Sequence, residues 1–293
     1  MSLKLNINDE VSSLDTVILG IGEDLGGPGS LNPKVKFHLE HDSYPTQSQI
    51  QAELNDFQKI LIENGVKVFR PVNFKNRIQI FTRDIGFVIG DEFFVSSMIE
   101  ERQKEIEGIQ YLIDLMNPKK IVYTSKQKGV QIEGGDVLVC NDKIFVGQSE
   151  RTNLQGYRFL KQHLSGRKVT PVKLVIDKNN HRLHALHLDC VFQPVGDNHA
   201  IIYERGIKNL KEFYNVLNLP EANIFKVNKW QFVRMFTNIF SVSKDTVLIE
   251  REFIDLKYWL LEQGFKVIEV NYNQVSKLSG LLRCSTLPLT RKK

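Results

Sequence analysis

The chain has 293 residues, 42% of them hydrophobic, which is enough to bury the core of one large domain or two small ones. Its 39 basic and 34 acidic residues leave a formal net charge of +5 with no long basic block, which argues against nucleic acid as a partner. No apolar run approaches the roughly 20 residues that span a bilayer, and Met1-Ser2-Leu3-Lys4-Leu5-Asn6 lacks an apolar signal core, so no membrane partner is expected and the expected setting is a reducing cytoplasm.

The predicted elements begin with an apolar strand, Thr16 to Leu19. Gly22 to Pro33 is a loop by composition, read either as a surface connection or as a mobile lid over a site. It lacks the Lys-Ser/Thr ending and following helix of a phosphate loop. A helix then runs from Phe57 towards Gly65, with Phe57 and Leu61 on one face and Gly65 as its stop, followed by a strand at Val66 to Phe69. Asp84 leads a hairpin, Ile85 to Ile89 and Phe93 to Ser96, and a helix from Ile109 to Met116 leads to a strand at Ile121 to Tyr123.

The same order recurs. Glu133 and Asp136 precede the hairpin Asp136 to Cys140 and Lys143 to Val146, turned by Asn141-Asp142; the helix Leu154 to Leu164 and the strand Val169 to Val175 follow. His187 and Asp189 precede Val191 to Val195 and His199 to Tyr203, then the helix Leu210 to Leu217 and the strand Ile224 to Val227. Asn238 precedes Ile239 to Val242 and Thr246 to Ile249, then the helix Phe253 to Leu261 and the strand Phe265 to Ile268. The helices begin about 45 to 55 residues apart, near the period of propellers and arrays. The unit reads strand, strand, helix, strand, five times in a ring, with the fifth hairpin closed by the chain ends, Thr16 to Leu19 pairing near Leu281 to Leu287. No linker interrupts the repeat, so residues 1–293 are read as one domain. Arg291-Lys292-Lys293 reads as a solvated tail.

Equivalent positions in a closed ring converge. Asp84, Glu133, Asp136, His187, Asp189, Asn238 and Cys284 would then meet in one central cavity. Clustered carboxylates away from water need a cation. Asp84, Glu133, Asp136 and Asp189 with His187 are a conceivable divalent-metal set, but their spacing is not that of tight ligands. A guanidinium is the better match: it is planar, pairs with carboxylates through two hydrogen bonds, and its central carbon is open to attack by sulfur. Three cysteines, Cys140, Cys190 and Cys284, are widely spaced and odd in number, neither a disulfide framework nor a Cys-x-x-Cys site. Cys140 and Cys190 sit at hairpin strands and read as small buried hydrophobes.

The runs Phe81-Thr82-Arg83-Asp84, Glu133-Gly134-Gly135-Asp136-Val137, Gly147-Gln148-Ser149-Glu150-Arg151-Thr152, His187-Leu188-Asp189, Thr237-Asn238 and Arg283-Cys284, the last followed by Pro288-Leu289 and Arg291, occur in this order over most of the chain. In them the sequence resembles the arginine deiminase, amidinotransferase and dimethylarginine dimethylaminohydrolase superfamily of guanidino-group modifying enzymes. The resemblance implies a five-bladed α/β propeller (pentein) of ββαβ modules with pseudo-fivefold symmetry, which agrees with the repeat. It implies that Cys284 is a nucleophile forming a covalent amidino-thioether, that His187 is the general acid and base, and that Glu133 orients His187. Asp84 and Asp189 would clamp the guanidinium, and Arg151 would hold the substrate α-carboxylate. Asp136 would contact substrate or brace its turn. Arg102 matches loosely and reads as a solvated helix arginine; Arg283 would steer substrate or seal the site. His181 and His184 fit the motif less well than His187 and read as loop residues.

Asp189 and the Arg283-Cys284 run are most similar to arginine deiminases. Asp84 lies too near the N-terminus for the helical insertion typical of that branch, and Arg151-Thr152-Asn153 with Gly156 resembles the dimethylarginine hydrolases. Ser279-Gly280-Leu281-Leu282 stands where the family often has a glycine-rich run. The resemblance implies hydrolysis of arginine to citrulline and ammonia, with dimethylarginine or citrulline hydrolysis, amidino transfer, or silent arginine binding as alternatives. The expected partner is a small cationic amino acid, bound by a monomer or a homodimer, with no metal or cofactor.

Overall fold

A computed structural model describes residues 3–25, 33–177, 180 and 183–292. Most of the Gly22 to Pro33 loop, and His181, lie outside the described residues. Strand β1 (Ser13–Leu19) is followed by helices α1 (Pro33–Glu40) and α2 (Gln47–Glu63) and by β2 (Lys67–Phe69). The next unit is α3 (Thr82–Ile85), β3 (Gly86–Ile89), β4 (Glu92–Val95), a 3-10 helix over Glu100–Ile109 that runs into α4 (Gln110–Ile113), and β5 (Ile121–Tyr123). Then come β6 (Val137–Cys140), β7 (Lys143–Gln148), α5 (Leu154–His163) and β8 (Lys168–Lys173), followed by β9 (Phe192–Val195), β10 (His199–Ile202), α6 (Leu210–Leu217) and β11 (Ile224–Lys226). The chain ends with α7 (Lys229–Val233), β12 (Phe240–Ser241), β13 (Thr246–Glu250), α8 (Ile254–Glu262), β14 (Lys266–Val270), α9 (Asn273–Ser276) and β15 (Thr286–Lys292).

The described strands form five three-stranded sheets of one design. In each, an antiparallel pair is joined by a helical crossover to a third, parallel strand: β3-β4-β5, β6-β7-β8, β9-β10-β11 and β12-β13-β14. The fifth, β15-β1-β2, takes its antiparallel pair from the two ends of the chain, with Leu19 opposite Thr286 and Ser13 opposite Lys292. The partner of the first strand is therefore Thr286–Lys292, which overlaps the expected Leu281 to Leu287 only at Thr286 and Leu287. Leu281 to Ser285 instead form the turn that carries Cys284, closed by the Ser285 amide on the Leu281 carbonyl at 3.1 Å.

Local chemistry explains the crossovers. Thr46 and Gln49 make a capping box at the start of α2, and Ile50, Leu54, Phe57 and Leu61 recur on its buried face. Of the expected helix Ile109 to Met116, only Gln110–Ile113 is α-helical, and it continues a 3-10 stretch, Glu100–Ile109, that lies before it. Two apolar clusters fill the interior, one including Phe57, Phe145, Phe192, Phe213 and Phe240, the other Phe87, Phe93, Phe94 and Ile109. No helix among the described residues is long and apolar enough to cross a membrane.

Several arginines are interior. Arg291 is buried, and its guanidinium donates to the Ser12 carbonyl and, at 2.8 Å, to the Ser241 carbonyl, so it belongs to the closure between chain ends and not to a solvated tail. Arg283 is fully buried and donates to Asp189 at 2.8 Å, to Glu10 at 3.1 Å and to the Val137 carbonyl at 3.0 Å. It does not face solvent. It ties three distant segments together beneath Cys284.

Candidate active site

The site is assembled from short turns at the mouths of the hairpins. Asp84 lies in α3, and Glu133 immediately precedes a 3-10 turn, Gly134–Asp136. His187 immediately precedes another, Leu188–Cys190. The turns are stitched to the chain end: the Arg83 amide donates to the Cys284 carbonyl at 3.0 Å and the Thr82 hydroxyl to the Ser285 carbonyl at 3.0 Å. Segments about 200 positions apart thus become neighbours through contacts to backbone carbonyls. Gly135 is needed for close approach, because a Cβ there would stand 2.7 Å from the His187 ring.

Asp84, Arg102, Arg151, His187, Cys190 and Cys284 line one cavity of about 480 Å³. His187 is 1% exposed, and its Nε2 is 2.8 Å from Glu133 Oε2, while its Nδ1 is 3.7 Å from Asp84 Oδ1. Burial alone would discharge the imidazole. Asp84, Glu133 and Asp136 outweigh it and raise the group to about 10, so His187 is an imidazolium at neutral pH. Burial likewise opposes charge on Glu133, but the His187 hydrogen bond and charge, with Arg102 and Arg151, hold that carboxyl at about 2.

Cys284 is 4% exposed. Its Sγ accepts a hydrogen bond from Asn238 Nδ2 at 3.1 Å and lies 3.7 Å from Asp189 Oδ2. Burial, then the charges of Asp189 and Asp84, push its thiol well above the ordinary range. Such a thiol stays protonated at neutral pH, and a cation placed against it would favour the thiolate.

Asp84 Oδ2 accepts from Arg102 at 2.8 Å, and Oδ1, although buried, has no hydrogen-bond partner among the described residues. Arg102 is therefore not a solvated helix arginine. It also pairs twice with Glu105 at 2.8 Å and places its guanidinium in the cavity wall. Arg151 lines the cavity too and donates to Glu133 at 3.2 Å.

Asp189 and Asp136 lie deeper and do not line the cavity. Asp189 Oδ2 sits between Arg283 and Cys284, and Asp189 Oδ1 is 3.7 Å from the Cys190 sulfur. Asp136 accepts from the Ser149 hydroxyl at 2.6 Å and the Leu188 amide at 2.9 Å, a brace for the His187 turn, and burial raises its carboxyl to about 7. Cys190, read as a buried hydrophobe, is buried but borders the same cavity. Sequence reasoning also passed over the grip of Asn238 on Cys284, although Thr237-Asn238 was a visible signal. His184 pairs with Glu150 at 3.4 Å, away from this group.

The ligand atoms of Asp84, Glu133 and His187 all lie within 4.8 Å of one another, a spacing that suits a bound cation, metallic or organic. Asp84 Oδ1 has no hydrogen-bond partner among the described residues, Glu133 is already engaged by His187, and Asp84, His187 and Cys284 line the same cavity.

The sequence matches the family model described as N,N dimethylarginine dimethylhydrolase, eukaryotic, over residues 32–291. The uncharacterized protein YkgA of Bacillus subtilis is 31% identical over 287 residues, 96% of this chain and 94% of that protein. The arginine deiminase of Latilactobacillus sakei is 24% identical over 252 residues, 73% of this chain, and the match spans 61% of the deiminase. Among solved structures, the N-terminal domain of ArgZ, an arginine dihydrolase from cyanobacteria, superposes with a TM-score of 0.80 at 20% identity, covering 95% of this chain and 98% of that one. SxtG, an amidinotransferase from Microseira wollei, gives 0.77 at 20% identity, covering 99% and 98%. These structural likenesses establish a shared α/β fold.

Proposed function

The chain belongs to the N,N-dimethylarginine dimethylhydrolase family, within the pentein superfamily of guanidino-modifying enzymes, and from that premise we propose that it is a cysteine-dependent hydrolase of the guanidino group of arginine or a close derivative. In this reading residues 1–293 form one catalytic domain whose five sheets are the blades of an α/β propeller with pseudo-fivefold symmetry. The observation that carries the proposal is the shared cavity of Cys284, His187 and Asp84, with Glu133 2.8 Å behind His187 and Asp84 Oδ1 left open.

The substrate guanidinium enters against Asp84 Oδ1 and the negative field of Asp189, while Arg151 takes the α-carboxylate. Its charge favours the Cys284 thiolate, and the thiol proton leaves to solvent. Sulfur attacks the guanidinium carbon, forming the C–S bond. The His187 imidazolium gives its proton to the departing nitrogen as the C–N bond breaks, releasing ammonia and leaving a cationic amidino-thioether. Neutral His187 then takes a proton from water, whose oxygen attacks the same carbon. The C–S bond breaks, the hydroxyl proton returns to sulfur, and the ureido product leaves. Glu133 stabilises the imidazolium throughout. Asp136 acts on the reaction through the turn that carries His187.

Dimethylarginine, releasing dimethylamine, is the second reading, favoured by the family match over residues 32–291. Incubation with arginine, dimethylarginine and citrulline separately, assaying ammonia, amine and ureido product, tests both. Expected is ureido product from arginine or dimethylarginine, abolished in Cys284→Ala and unchanged by a chelator. Turnover that survives Cys284→Ala overturns the covalent mechanism. Loss of activity on chelation assigns Asp84, Glu133 and His187 to a metal, and product formed only with an added amine marks a transferase.

A further inference from the structure

A second cavity, of about 320 Å³, opens on the other side of α1. Val35 faces the Cys284 cavity, whereas Lys34 and His38 line the second. The opposite wall is the end of β13, where Glu250 is 2% exposed. Glu250 Oε2 accepts the Glu252 amide at 2.8 Å, and the Tyr272 amide faces the same carboxylate, yet Oε1 has no hydrogen-bond partner among the described residues. A buried carboxylate oxygen without a donor is costly, and here it borders open space.

Apart from Glu252, the other charged residues of the lining are basic. Lys34 and Lys277 line the cavity beside His38. Arg234 is committed to Glu252, and Lys277 Nζ donates to Gln274 Oε1 at 2.8 Å, a neutral acceptor. Burial brings Lys34 down to about 8, and burial followed by the charges of Lys34 and Lys277 lowers His38 as well. A simple anion would satisfy this side and leave Glu250 Oε1 unpaired. A simple amine would do the reverse. A ligand carrying an ammonium and a carboxylate on one carbon answers both.

We propose that this cavity is a second binding site, for a zwitterionic α-amino acid, whose ammonium donates to Glu250 Oε1 and whose carboxylate meets Lys34 and Lys277. Leu281, three residues before Cys284, is part of its lining, so an occupant touches both α1 and the turn that carries the thiol. The site stands whether or not the catalytic reading does, because neither Cys284 nor His187 lines it.

Calorimetric titration of the full chain with glycine and with L-alanine tests it, with acetate and methylamine as half-ligands. Expected is saturable binding of the amino acids, tighter than either half-ligand. Glu250→Gln, which keeps the side-chain volume, weakens it by about tenfold or more, as loss of one charged hydrogen bond does. Lys277→Met weakens it too, and decides the matter if Glu250→Gln does not fold. Arg151→Ala, in the other cavity, leaves it unchanged. The proposal is overturned by the absence of saturable binding, by acetate or methylamine binding as tightly as glycine, by indifference to both Glu250→Gln and Lys277→Met, or by loss of binding in Arg151→Ala, which would place the amino acid in the Cys284 cavity.

Discussion

Asn238 holds Cys284 at two points: its Nδ2 donates to the sulfur at 3.1 Å, and its Oδ1 accepts the Cys284 amide at 3.1 Å. The nucleophile proposed here is thus fixed in both position and backbone orientation by one side chain from the mouth of a different sheet. Removing it exposes the two roles separately. Asn238→Ala leaves the buried Cys284 amide without an acceptor and is expected to destabilise the fold by about 1–3 kcal/mol in urea unfolding. Asn238→Asp restores the acceptor but sets another negative charge against a sulfur already facing Asp189. It is expected to recover stability while slowing alkylation of Cys284 by iodoacetamide, followed by peptide mass spectrometry. Equal alkylation rates in wild type and Asn238→Asp would show that the sulfur does not feel this side chain.

The imidazolium of His187 depends on its anions. Burial disfavours the charge, and Asp84, Glu133 and Asp136 together raise the group from 6.5 to about 10. Glu133→Gln removes one of those anions and its charged hydrogen bond, so the imidazolium becomes easier to deprotonate. The alkaline limb of the rate profile is expected to move to lower pH, with kcat reduced by roughly 100-fold or more as general-acid catalysis weakens. A profile of kcat against pH checks it. An unmoved alkaline limb would mean that a group other than His187 governs proton transfer to the leaving nitrogen.

Stability should also track these charges. Burial raises Asp136 from 3.8 to about 7, so between those values the folded chain holds a proton that the unfolded chain has lost. Its contribution is full below 3.8 and is lost as pH rises through about 7. His187 adds a loss in the same direction, full below 6.5 and gone above about 10. Glu133 runs the other way: its contribution is present above 4.5 and lost as pH falls through about 2. The melting temperature of the wild type is therefore expected to fall from about pH 5 to pH 8. In Asp136→Asn, whose amide can still accept from Leu188 and donate to the Ser149 hydroxyl, the fall over the lower part of that range should flatten. A parallel pH dependence in the two proteins would place the titration elsewhere.

The repeat unit was legible because its signals are local. Alternating apolar residues mark each hairpin, and Asn141 takes the left-handed turn conformation, with φ +56°, that its sequence suggests. The ring closure was less so: Thr16 to Leu19 do pair with the chain end, but with Thr286 onward, because the turn bearing Cys284 occupies the residues before. The arginines were the least legible. Arg102 reads as solvated, Arg291 as part of a tail and Arg283 as steering substrate or sealing the site, because the partners that bury them (Asp84, Ser241, Glu10 and Asp189) come from distant segments. Glu105, three residues after Arg102, was a local hint of an ion pair. The same limit applies to Asp136 and Asp189: position before a hairpin marks them as inward, but not whether each faces a cavity or another side chain.

The approach to the proposed nucleophile, Ser279-Gly280-Leu281-Leu282, holds one glycine. A Cβ on Gly280 would stand 2.1 Å from Phe81 Cε1 and 2.5 Å from Phe81 Cδ1, while Ser279 before it holds φ at +72°. Phe81 opens the turn that carries Asp84, and Gly280 lies four residues before Cys284. This contact therefore sets the spacing between the proposed guanidinium clamp and the proposed nucleophile. Gly280→Ala forces the ring to move and is expected to cost about 1–3 kcal/mol, as overpacking does. It should also lower kcat/KM, since a small displacement of Asp84 relative to Cys284 misplaces the reacting carbon. Phe81→Leu opens the space, so the double variant should recover part of both losses. A double-mutant cycle in stability and in kcat/KM measures that coupling. Strictly additive effects in both would show that the Phe81 ring and Gly280 do not jointly set this distance.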